Sequence, residues 1–423
     1  MTKGTKQRHS LERWLARLAA AALLSASVAT HVARAQCVQD EEVQSDQTLM
    51  NDELFGEKVA IQDATAVVGA RMENGGRGAA YVYERDMSGN WNQVARFTQP
   101  SPQAGDMFGS AVAIEGDTIV VGAYGVSNQS GALFVFVRTG SSWDTSEFRA
   151  TLTANAAYAR LGFSVDISDN GQTIIGGAPG WSDPANAQVG CAYTYIKPLA
   201  WRSATNSGQL VMTPTEASAR AYLGFSVSIA SDDRALVGAP GHWLGSDSTV
   251  GSACMFVRGQ GWFGVKNSLP ILRAPSPAVG EGFGRDVAIA VPWIAIGTGN
   301  AGEAYVYHAQ TVIIDDEEVA VLTSSDPDGD DRFGFSVDIR DGRAVVGSHY
   351  QQDIQGAVFV HECLEPSDSD DPPTCAEVAS LTATNGVDGD ALGWDVALSD
   401  TRIIAGAPFT DGQEGSAYLF TCP

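Results

Sequence analysis

Four aspartates, Asp166, Asp286, Asp338 and Asp395, recur at related places in a repeating pattern. Asp166 and Asp338 stand at matching positions, and Asp286 and Asp395 stand two residues earlier in register. A pair of carboxylates at the right separation would supply the acid and base of glycoside cleavage. Aspartates lining a hydrated channel explain the same residues without chemistry. A second set is aromatic: Tyr124, Trp181 with Asp183, His242-Trp243 with Asp247, His349-Tyr350, and Phe409 with Asp411. Rings beside carboxylates are what sugar stacking or a protein contact uses; rings folded back as lids on neighbouring strands are the alternative. A third set, Asp326, Asp328, Asp330 and Asp331, offers hard oxygen ligands to Ca²⁺, with Asp388 and Asp390 as a second such run. The preferred reading of both runs is a solvated turn, so calcium is not a required cofactor. No G-x-S-x-G elbow, P-loop or H-E-x-x-H motif occurs, and His242, His308, His349 and His361 form no metal-binding pattern. The expectation is a protein that binds without turnover.

What positions these residues is an internal repeat. Phe or Leu followed by Gly recurs at Phe55-Gly56, Phe108-Gly109, Leu161-Gly162, Leu223-Gly224, Phe283-Gly284, Phe333-Gly334 and Leu392-Gly393, at spacings of 53, 53, 62, 60, 50 and 59. A second mark follows each, as Gly69-Ala70, Gly122-Ala123, Gly177-Ala178-Pro179, Gly238-Ala239-Pro240, Gly297-Thr298, Gly347-Ser348 and Gly406-Ala407-Pro408. A third is Gly before an aromatic-rich run, as in Gly78–Tyr83 and Gly415–Phe420. Between the marks the apolar residues alternate with a period of two, as in Val112/Ile114 and Val337/Ile339, so each unit reads as four short strands. Such a unit cannot bury both faces of its sheet alone. Stacking seven sheets radially lets a bulky face meet a small one, which predicts an all-β, seven-bladed propeller over residues 36–423; a solenoid is the rival. Trp91, Trp143, Trp201 and Trp262 are expected to pack at the openings of fourth strands, and Trp293 and Trp394 to lie in core strands.

The seventh unit stops after its third strand at Phe420, so its fourth must come from around Cys37–Gln44. That closure sets Cys37 beside Cys422 and predicts a disulfide between them. Cys363 and Cys375 bracket an acidic, Pro-rich insertion as a hairpin staple would, leaving Cys191 and Cys254 unassigned.

Residues 1–35 hold six bases and one acid, an apolar run from Leu18 to about Val28, and small residues at Ala33 and Ala35. This predicts a cleavable secretory signal, with an organelle transit segment as the alternative. The remaining 388 residues carry 49 acids and 20 bases, a net charge of −29. That charge excludes nucleic acid and anionic membranes as partners. No later apolar run approaches the ~18 residues of a bilayer span. A secreted or surface-bound monomer with an extracellular protein or glycan partner is expected.

The Phe-Gly and Gly-Ala-Pro marks resemble the FG-GAP repeat, the blade unit of the integrin α-subunit propeller. The lead-in Asp326-Pro327-Asp328-Gly329-Asp330-Asp331-Arg332-Phe333-Gly334 is similar to those of tandem FG-GAP proteins of bacterial surfaces. The resemblance implies adhesion through the face where the loops from strand 4 to strand 1 and from strand 2 to strand 3 emerge. The calcium loop of integrin blades does not carry over, because turns such as Gln62-Asp63-Ala64-Thr65 and Arg340-Asp341-Gly342-Arg343 lack its alternating oxygen ligands.

Overall fold

The computed structural model describes residues 37–44, 53–154, 156–182, 188–197, 210–213, 220–230, 234–244, 248–257, 266–267, 271–308, 319–325, 331–366 and 371–423. Among these, the strands form seven antiparallel four-stranded sheets, arranged as the blades of a β-propeller. Blade 3 gains a short fifth strand, Lys266–Asn267, parallel to Leu210–Thr213. A ribbon pairs Trp243–Leu244 with Ser248–Thr249 in blade 4.

In blade 1 the order from the axis outward is Phe55–Gln62, Thr65–Ala70, Ala79–Arg85 and Trp91–Phe97. The inner strands of the other blades are Phe108–Glu115, Ser164–Ile167, Val227–Ile229, Val287–Ala290, Ser336–Arg340 and Val396–Ser399. Each inner strand neighbours the next around the ring, and the last neighbours the first.

Both glycine marks have one steric cause. Each second-mark glycine abuts the backbone of the following blade's Phe/Leu-Gly. At the closing junction a Cβ on Gly406 would sit 1.8 Å from the Gly56 carbonyl oxygen. The equivalent clash recurs at Gly69, Gly122, Gly177, Gly238, Gly297 and Gly347. Gly56 itself has φ +86, a conformation that costs an L-residue strain. Around it the ladder slips between Phe55 and Lys58, a bulge repeated between Phe108 and Ala111. Bulges bend a strand and re-aim a side chain. The residue after the glycine lines the channel in six blades, as Glu57, Phe163, Phe225, Arg285, Phe335 and Trp394 do in blades 1 and 3 to 7.

The core is divided into seven clusters, one per blade junction. Between blades 1 and 2, Val67, Val82 and Phe97 meet Phe108, Val112, Phe134 and Phe136. Phe97 and Phe136 stack with centroids 4.3 Å apart. The Phe or Leu of every first mark is at most 1% exposed, and burying such a side chain is worth about 1.5–3 kcal/mol. Trp91 and Trp143 are buried as expected, at 5% and 0%; Trp201 and Trp262 lie outside the described residues.

The ring closes as the repeat count requires. Val38–Val43 pairs with Ser416–Thr421 as the outer strand of blade 7, and the Glu41 carboxylate accepts the Trp91 N–H of blade 1 at 2.6 Å. Disulfides join Cys37 to Cys422 and Cys363 to Cys375, while Cys191 and Cys254 are buried. No helix among the described residues is long and apolar enough to cross a membrane. The predicted signal segment lies outside the described residues.

Candidate functional site

The inner strands surround a central cavity of about 310 Å³. An inner strand has a sheet partner on one side only, so its other edge presents unpaired N–H groups to the neighbouring blade. The channel aspartates meet these. Asp166 accepts the Ile229 N–H of the next blade at 2.8 Å and the Ser228 hydroxyl at 3.1 Å. Asp338 accepts the Leu398 N–H at 2.7 Å, and Asp286 the Val337 N–H at 2.8 Å. Asp395 accepts the Val59 N–H at 2.8 Å and pairs with Lys58 at 2.6 Å, across the closing junction. In blade 4 serines replace the acids at the same two positions, Ser226 and Ser228 accepting the N–H groups of Val287 and Ile289. Burial raises the carboxyls of Asp166 and Asp338 to about 7, and that of Asp395 to about 6 against the pull of Lys58. Their oxygens join blade to blade, which accounts for the matched spacing seen in the sequence.

At the mouth where the 4–1 and 2–3 loops emerge, side chains from every blade form a collar. Tyr124 lies 5.7 Å from Phe163, which lies 4.8 Å from Phe225. The Arg285 guanidinium sits 5.2 Å from the Phe225 centroid and 3.7 Å from that of Phe335. Phe335 then meets His349 at 4.0 Å and Trp394 at 5.0 Å. Tyr350 packs 4.5 Å from His349, and Phe409 packs 5.2 Å from Trp394. Blade 1 joins this series through Arg71, which ion-pairs with Glu57 and donates to the Tyr124 hydroxyl of blade 2 at 3.2 Å.

The FG-GAP repeat matches residues 49–83, 91–136, 317–361 and 375–420. The chain thus carries FG-GAP repeats at four positions of a seven-bladed propeller. The matched stretches cover blades 1, 2, 6 and 7, whose 2–3 loops each hold a one-turn helix: Glu73–Gly76, Val126–Gln129, Gln351–Ile354 and Thr410–Gln413. The other three blades are identified by their sheets alone. No curated protein matches the chain.

Of the loop residues singled out in the sequence, Tyr124, His349, Tyr350 and Phe409 belong to the collar. His349 is 2% exposed and Tyr350 is 38% exposed, so one is wall and the other is rim. Trp181 is half-buried against the core of blades 2 and 3. His242 is buried, and Trp243 opens the blade 4 ribbon. Asp183, Asp247, Asp326, Asp328 and Asp330 lie outside the described residues. Trp394 corrects an expectation: it is not in a core strand but half-buried at the channel mouth, because the turn at Gly393 places it ahead of Val396–Ser399. Asp390 corrects another, being buried at 3% and accepting the Val387 N–H at 2.8 Å, while Asp388 is exposed. No group of acids, cysteines or histidines suited to a metal occurs among the described residues. Sequence reasoning missed Phe163, Phe225, Arg285 and Phe335. Their signal was the position after each Phe/Leu-Gly, aromatic in four of seven units.

Proposed function

We propose that this chain is an exported, monomeric, non-catalytic binding propeller that engages an extracellular protein or glycan through its 4–1 and 2–3 loop face. The observation that carries the reading is the collar, a series of ring and cation–π contacts across blades 2 to 7, joined to blade 1 by the Arg71–Tyr124 hydrogen bond, at one mouth of the channel. Buried aromatic anchors with an exposed rim are the residues that dominate binding energetics. Tyr350 and the half-buried Phe409 and Trp394 supply that rim. The channel aspartates accept N–H groups of neighbouring blades, which supports a structural role for them over a catalytic one. The two disulfides suit an oxidising compartment.

The test is an array of glycans and surface proteins probed with residues 36–423, beside Tyr350→Ala/Phe409→Ala and Trp181→Ala/Trp243→Ala double variants. Loss in the first variant alone is the expected result. Loss only in the second would move the site to the junction of blades 3 and 4 and favour a lectin built there. Binding unchanged in both would refute a site at this face.

A further inference from the structure

Two cations of the collar lack what the others have. Arg71 is paired with Glu57, and Lys58 below it with Asp395. Arg285 and Arg332 have no carboxylate at ion-pair distance among the described residues. Arg285 lies over Phe335 and Phe225, and its Nε is buried without a hydrogen-bond partner. Its neighbour Asp286 turns its oxygens to Ser226, Val287 and Val337. Arg332 donates to the Gly299 carbonyl at 3.3 Å and otherwise stacks 5.1 Å from the Tyr350 centroid. Close to both is His349, buried and in ring contact with Phe335, Tyr350 and Trp394, with its Nδ1 unpartnered. Burial, then the charges of Arg285 and Arg332, lower this imidazole to about 3 and keep it neutral. Burial lowers Arg285 to about 10, with Asp286 opposing and Arg332 adding to the shift.

A chain of net charge −24 has therefore gathered two guanidinium groups without an ion-pair partner among the described residues and a buried, unpartnered imidazole nitrogen at one mouth of its channel. The aromatic seat for a cation is already filled by Arg285, so the missing partner is an anion. We propose that Arg285, Arg332 and His349 form a carboxylate subsite for an acidic saccharide, with the sugar's ring face on Tyr350 and Trp394. The proposal rests on the loop-face reading above and names the ligand class. A guanidinium suits a carboxylate through paired donors. The ring faces beside it favour a flat cyclic ligand over a carboxylate on a flexible peptide side chain. Of these residues Arg285 and Trp394 line the central cavity of about 310 Å³, whereas Arg332, His349 and Tyr350 lie outside its lining; ligand pockets run from roughly 300 to 1,000 Å³.

Calorimetric titration of residues 36–423 with trigalacturonate, its methyl ester and a glutamate-rich peptide tests this. Trigalacturonate is expected to bind, with the ester and the peptide weaker by about tenfold or more. Arg285→Gln and Arg332→Gln should each weaken trigalacturonate by a similar factor, Arg332→Gln serving as the variant that leaves the Phe225–Phe335 seat filled. Equal binding of acid and ester, or no effect of either Arg variant, would overturn the carboxylate subsite. If Tyr350→Ala still abolished that binding, the loop-face reading would survive alone. Tighter binding of the peptide would overturn the saccharide assignment. No binding of any of the three would overturn the proposal, and array binding lost on Tyr350→Ala/Phe409→Ala would show that the face itself still functions.

Discussion

At the scale of single residues, the glycine marks are contact points between blades before they are turn formers. A Cβ at Gly406 meets the Gly56 carbonyl, backbone that cannot swing aside. Gly406→Ala should therefore cost at least the upper end of the roughly 1–3 kcal/mol of ordinary overpacking. Gly386→Ala, whose nearest neighbour is the Ala383 Cβ at 3.2 Å, should cost under about 0.5 kcal/mol; equal melting temperatures for the two would refute the packing argument. The channel aspartates make a second prediction. Asp166 and Asp338 are raised from 3.8 to about 7, so the folded chain holds protons that the unfolded chain releases. Their stabilisation is complete below pH 3.8 and is lost as the pH rises through about 7. The melting temperature should rise as pH falls from 8 to 5, and Asp166→Asn/Asp338→Asn should flatten that slope. An unchanged slope in the double variant would contradict the assignment.

At the scale of elements, one strand decides closure. Val38–Val43 completes blade 7, and the Cys37–Cys422 bond spans 385 residues of sequence. Cross-linking so long a loop is worth about 6 kcal/mol in the chain-entropy account. Cys37→Ser/Cys422→Ser should lower the melting temperature sharply, whereas Cys363→Ser/Cys375→Ser, which closes 12 residues, should lower it less. The reverse order would contradict the closure role. This element was legible in the sequence because repeats count: a unit ending at Phe420 lacks a strand, and only one segment was left to supply it. The blades were legible for the same reason. The collar was only half legible. Loop aromatics such as Tyr350 and Phe409 stand out against turn composition, but Phe163, Phe225 and Phe335 read as ordinary strand residues. Their placement depends on the turn at Gly162, Gly224 and Gly334, which sets the next side chain toward the channel and not the core without changing residue type. Trp394 was misplaced for that reason, and Asp390 because a buried acceptor for a loop N–H looks in sequence like any solvated acid.

At the scale of the whole molecule, a closed ring of seven blades has two ends of different chemistry. One end carries the collar; the other carries the short 1–2 and 3–4 turns, such as Asp63 and Asp86–Asn90. Stability should owe little to divalent cations, because the blade junctions among the described residues are held by apolar clusters and aspartate-to-backbone bonds. EDTA should leave the melting temperature unchanged; a fall of several degrees would show that a cation is structural. The central claim is that ligand is met at the collar end, and the two faces can be blocked separately. Cys191 and Cys254 are buried, so a single new surface thiol can be coupled to a bulky polymer. Ser127→Cys lies exposed in the 2–3 loop of blade 2, and Ser88→Cys lies exposed in the 3–4 turn of blade 1 at the opposite face. The measurement is array binding of each variant before and after coupling. Loss on coupling at residue 127 with retention at residue 88 is the result predicted, and the opposite pattern would contradict the account.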